Sequence, residues 1–135
     1  MEDIILKDIY HYEEEPDIND TLVRWFNETI NKKPLEMTIG DLARSVRQNL
    51  FHEVVLERGI EELEKDPFAG ELFTGELLEK ILLLDKDMLL TKKAELKKIL
   101  KKAEETHNFH CWGFPEEKDE YLELLKKLKK IINSK

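Results

Sequence analysis

A single cysteine, Cys111, leaves this chain unable to close an internal disulfide, which fits a reducing compartment. Its apolar runs all fall short of the ~18 residues that a membrane span needs. The start, "MEDIILKD", is acidic where a signal peptide is basic, so a cytoplasmic protein is expected. Catalytic patterns are missing as well: there is no P-loop, no G-x-S-x-G turn, no H-E-x-x-H helix and no glycine-rich nucleotide turn. No acid is paired by pattern with a histidine in an apolar setting, and His52 beside Glu53 and Glu57 reads as a helix-surface residue. An enzyme has no residue to rest on.

What is present is charge on a helical pattern. Hydrophobic residues make up 41 % of the 135 residues, enough for one globular domain over 1–135. Charged residues reach 39 %, well above the usual level of about 25 %. The pattern predicts an all-α fold of about six short helices and no strand. Asp20 caps the first, with Leu22, Phe26 and Ile30 at i, i+4, i+8, and Pro34 ends it. Thr38 and Asp41 form a capping box ahead of Leu42 and Val46. A third helix runs from His52 to Lys65 with Leu56, Ile60 and Leu63 inward, and Asp66-Pro67 stops it. Thr74 is the expected cap of a fourth through Leu77, Leu78 and Ile81. A fifth spans about Thr91 to Glu105. The sixth starts at Pro115, with acids first and lysines last as the helix dipole favours. A short extra helix through Leu6 and Ile9 is a further option.

Two clusters carry ligand-like or basic chemistry, and each has a plainer explanation. His107, His110 and Cys111 lack a fourth donor at matched spacing, and Phe109, Trp112 and Phe114 are interleaved with them. An aromatic plug between two helices is expected there, with no metal and no cofactor. The lysines at 92, 93, 97, 98, 101 and 102 come without arginine or interleaved aromatics, and Glu95, Glu104 and Glu105 interrupt them, so they read as a solvated face.

The acids are distributed with more consequence. Residues 1–20 carry −7, residues 21–85 carry −5 and residues 86–135 carry +4, which together give the net −8. Phosphates would be repelled by the first two-thirds, which argues against a direct nucleic-acid ligand there, and a basic protein is the natural complement. "EEEPDIND" crowds Glu13, Glu14, Glu15, Asp17 and Asp20 into eight residues with no base nearby. Glu53, Glu57, Glu61 and Glu64 line one face of the third helix, where like charges at i, i+4 cost about 0.2–0.5 kcal/mol per pair. Lys65 can relieve Glu61, whereas Glu53 and Glu57 repel each other.

The middle of the chain carries an ordered set of residues: Lys33-Pro34-Leu35, Asp41-Leu42 and Gln48, then Leu63, Asp66-Pro67, Gly70, Phe73, Gly75 and Leu77-Leu78. This set resembles the immunity proteins of bacterial contact-dependent growth inhibition (CDI) systems over about residues 32 to 100. The chain departs from them at Glu76, where aspartate is common. The resemblance implies that the bend at 66–75 is a fold-specifying joint, with Phe68, Leu72 and Phe73 packed under the helices it connects. It also implies that the protein binds and neutralises a toxin domain, and many such toxins are nucleases with basic clefts, ribonucleases first among them. The partner-binding residues expected on that reading are Glu13, Glu14, Glu15, Asp17, Asp20, Glu53 and Glu57, with no catalytic residue. The other reading left open is an acidic helical adaptor or regulatory module for a different basic protein.

Overall fold

The structure, a computed structural model, describes residues 3–16 and 19–134. Among them the chain forms eight α-helices and no strand. They are α1 (Leu6–Tyr10), α2 (Thr21–Ile30), α3 (Ile39–Arg47), α4 (His52–Lys65), α5 (Glu76–Ile81), α6 (Lys86–Leu90), α7 (Lys93–Thr106) and α8 (Pro115–Ile132). Single 3-10 turns cover Pro34–Glu36 and His107–Phe109. The count exceeds the expected six by α1 and α6, each of five residues. Helices little longer than a single turn cannot display a periodicity, and α6 has Leu89 alone as a buried residue. Its one readable start signal is Asp85, whose carboxylate accepts from the Met88 amide at 3.4 Å.

Helix α4 lies at the centre, packed against α3, α5 and α7, while α8 closes over α7 and α6. Val54, Val55, Leu56, Ile60 and Leu63 of α4 are all buried, in one continuous apolar cluster with Leu77, Ile81, Leu96, Ile99 and Leu128. A buried arginine ties this helix to the segment before α3. Arg58 donates to the Pro34 and Met37 carbonyls at 2.8 and 3.2 Å and to Glu62 at 3.1 Å, so its guanidinium replaces missing backbone partners in an irregular stretch. Glu61 is held more loosely by the same Arg58, at 3.7 Å, and Lys65 reaches Glu62 rather than Glu61.

The Thr38–Asp41 box forms as expected, with both capping bonds at 3.0 Å. Asp41 does more than cap. Its carboxylate also accepts from Trp25 Nε1 at 2.9 Å and from Lys32 Nζ at 2.7 Å, which fastens α2 to α3. Burial pushes this carboxyl up, but the bonds from Lys32, the Thr38 amide and Trp25 together outweigh it and hold it below the usual carboxylate range.

The joint between α4 and α5 is built differently from the sequence expectation. Thr74 does not cap α5; its hydroxyl lies 3.4 Å from His110 Nε2, and Gly75 occupies the cap with φ of 84°. A Cβ on Gly75 would meet the Tyr121 ring at 2.6 Å, so only glycine fits both the backbone and the space. The loop's free amides are satisfied by Glu76, which is 1 % exposed and accepts from Glu71 N–H and Leu72 N–H at 2.9 and 3.0 Å. Tyr121 adds a second tie, donating to the Pro67 carbonyl at 2.7 Å. Of the three apolar residues expected beneath the joint, only Phe68 packs there. Leu72 is 68 % exposed and Phe73 40 %, because the Glu76 bonds turn residues 71–73 outward. The plug at 107–114 is likewise half formed: His110 stacks on Phe68 at 4.4 Å and Trp112 meets Phe68 edge-on, whereas Phe109 and Phe114 face solvent.

Candidate functional site

The acidic N-terminal stretch is anchored along its length. After α1, His11 takes a left-handed turn (φ 58°) and the Tyr12 amide bonds back to the Lys7 carbonyl at 2.9 Å. The Tyr12 ring then enters an aromatic cluster, stacked on Tyr10 at 5.8 Å and touching Phe26 and Phe51 at 5.7 Å. Three residues on, Asn27 of α2 reads the backbone of Glu15 in both directions: Glu15 N–H donates to Asn27 Oδ1 at 2.8 Å, and Asn27 Nδ2 donates to the Glu15 carbonyl at 2.9 Å. Asn27 is buried, so this pair is shielded from competing water. The ribbon His11–Pro16 is thereby held while the side chains of Glu13, Glu14 and Glu15 remain exposed. Among the described residues none of these three glutamates makes an ion pair with a lysine or arginine.

The other candidate acids take different positions. Asp20 caps α2, accepting from the Leu22 and Val23 amides at 2.8 and 3.2 Å, so part of its capacity is spent on the fold. Asp17 lies outside the described residues. Glu53, in the first turn of α4, sits beside the Tyr10 hydroxyl, which also accepts from the Val54 amide at 3.3 Å. Burial first, then the Glu53 charge, push that phenol up to about 12. Glu53 thus borders the same aromatic cluster that holds the ribbon. Glu57 does not share this setting: Lys92 binds it at 2.7 Å, and the hydrogen bond that Lys92 donates to Glu57 raises its ammonium above its ordinary range. The expected repulsion between Glu53 and Glu57 is therefore relieved by a lysine from the α6–α7 turn, which no helix-face pattern could reveal.

Beside the ribbon runs an open groove of about 790 Å³. Its lining combines Glu13, Glu14 and Glu15 with the apolar side chains of Leu22, Phe26 and Leu50. Leu22, which shares a helical stripe with Phe26 and the buried Ile30, is 40 % exposed and lines this groove. The sequence reading missed the groove, since Asn27, which fixes its wall, lies off the apolar stripe and looks like an ordinary surface amide.

No helix among the described residues is long and apolar enough to cross a membrane. His107, His110 and Cys111 do not converge: His110 is stacked on Phe68, Trp112 Nε1 bonds the His107 carbonyl at 2.9 Å, and Cys111 is exposed.

The site is thus a held ribbon of three exposed glutamates beside a partly apolar groove, on a scaffold that is all-helical among the described residues. The chain belongs to the CDI immunity proteins, whose family model matches residues 8–99, a span that takes in the ribbon, α2 to α6 and the joint. It is accordingly an inhibitor rather than an enzyme, and its partner is a cognate CDI toxin. Compared with curated proteins, the chain has no match.

Proposed function

We propose that the toxin bound by this chain is a basic nuclease domain, a ribonuclease first, and that the acidic ribbon is the surface that meets it in the cytoplasm. The observation that carries this reading is the set of three glutamates, Glu13, Glu14 and Glu15, fixed by Asn27 yet left without cations. Like charges crowded on a held backbone lower stability by self-repulsion, and an incoming basic surface relieves that cost. A nuclease must attract phosphate, so its cleft is basic, and an acidic inhibitor can steer onto it and compete with substrate. Glu53 extends the same surface; Asp20, Asp17 and the Lys92-bound Glu57 complete the proposed set with weaker individual roles. The protein itself needs no nucleic acid, metal or cofactor for this task.

The test is association kinetics with the toxin domain encoded beside this chain. The variant E13Q/E14Q/E15Q should associate at least about tenfold more slowly at low salt and protect a toxin-expressing cell less well. K97Q/K98Q/K101Q should bind and protect as the wild type does. Lys102 is left out of that control because it caps the end of α4, donating to the Glu64 and Lys65 carbonyls at 3.0 and 2.9 Å. Wild-type association and full protection by the glutamine variant, with failure of the lysine variant, would place the interface on the opposite face.

A further inference from the structure

The groove beside the ribbon has two unlike kinds of lining, and that pairing specifies more than a negative charge. Glu13, Glu14 and Glu15 bring carboxylates to it, and Leu22, Phe26 and Leu50 bring apolar surface, Leu22 exposed and the other two half-buried. A compact cation or a purely aliphatic side chain would satisfy only one of the two. Arginine satisfies both: its stem lies along apolar surface while the planar guanidinium bonds two carboxylate oxygens at once. Lysine places a point charge and is the poorer fit.

We infer that this groove is the anchor site of the complex, receiving an arginine-bearing segment of the toxin domain against Glu13, Glu14 and Glu15 and the apolar Leu22, Phe26 and Leu50. The inference rests on the proposed basic partner and adds where the tightest contact falls. Two features favour an anchor over a loose encounter surface. The Asn27 pair and the Tyr12 aromatic contacts fix the acidic ribbon before binding, so little ordering cost is left to meet on association. The apolar lining helps exclude water from the ion pairs, where charge-assisted bonds gain most and slow dissociation. Phe73 and Phe109 are exposed as well, the latter by 85 %, but neither lines the groove beside the ribbon.

The two ideas separate by rate. Steering by the glutamates acts on association, whereas an anchor acts on dissociation. Two substitutions of Leu22 address the groove without touching charge: L22S removes apolar lining, and L22W fills the space. Leu22 is exposed enough for both to fold, which thermal unfolding verifies. With the toxin domain encoded beside the chain as probe, L22S and L22W should each raise the dissociation rate at least about tenfold and leave association within about twofold. L22R should do so more strongly, because it places a like cation where the toxin's arginine sits. If E13Q/E14Q/E15Q slows association while all three Leu22 variants dissociate at the wild-type rate, the anchor is refuted and the acidic-face reading stands. If F73S/F109S raises the dissociation rate instead, the anchor lies at the joint. Unchanged rates in the glutamine and Leu22 variants together overturn both readings.

Discussion

Asp41 shows how much one side chain can be asked to do. Four groups converge on its carboxylate and amide, and its ionised form is what the Lys32, Thr38 and Trp25 bonds stabilise. The folded pKa lies below the unfolded value of about 3.9, so the carboxylate's contribution is fully present above that pH and is lost as pH falls through the folded value. D41N should cost about 1–3 kcal/mol at neutral pH, with the gap to wild type closing below about pH 4 in acid-unfolding curves. Gly75 is constrained by geometry instead. Its φ of 84° disfavours any Cβ, and the Tyr121 ring at 2.6 Å leaves a larger side chain no room. G75V should lose at least about 2 kcal/mol in denaturant unfolding, and G75A less than that. An unchanged midpoint for G75V would show that the joint can re-form around a side chain.

At the level of elements, what could be read in advance was what local chemistry decides. α4 begins at His52 and ends at Lys65 as expected, because its apolar residues recur over four turns and Pro67 forbids continuation. Asp20, the Thr38–Asp41 box and Pro115 at the first turn of α8 were legible for the same reason. What escaped was decided by distant partners: Phe51 in a left-handed conformation before α4, Lys92 reaching Glu57, Asn27 reaching Glu15, and residues 71–73 turned outward by Glu76. Glu76 is instructive, since it stands where the resembled pattern often has aspartate and its longer side chain accepts two loop amides. The loop 107–114 belongs to this second group. There His110 stacks on Phe68 and Trp112 meets it edge-on, contacts that hold the loop through side chains distant in sequence. A strong chelator should therefore leave the melting temperature unchanged, whereas a structural zinc would contribute about 10–16 kcal/mol of folding energy. A large fall on chelation would return His107, His110 and Cys111 to the role of ligands.

For the molecule as a whole, the division of charge is the feature that reaches furthest from its surface. Residues 1–85 carry −12 and residues 86–135 carry +4, so the acids that give the anion its field belong to the first two-thirds of the chain. The ribbon glutamates belong to that part, and among the described residues none of them pairs with a lysine or arginine. A basic toxin approaching at random is turned by this field before contact, which raises the rate of productive encounter without adding a bond. Such steering has a measurable signature, because salt shortens its range from ~30 Å at 0.01 M to ~3 Å at 1 M. Association of the wild-type protein should therefore slow at least about tenfold across that interval, while dissociation from the complex changes by much less. E13Q/E14Q/E15Q should flatten the salt dependence and converge on the wild-type association rate at high salt, since screening removes in both what the substitution removes in one. K97Q/K98Q/K101Q should leave the slope near that of wild type or steepen it, having removed only charge that repels a basic partner. A salt dependence of the opposite sign, with faster association as salt rises, would mean that the toxin meets this protein with an acidic surface, and the basic-partner reading would fall with it.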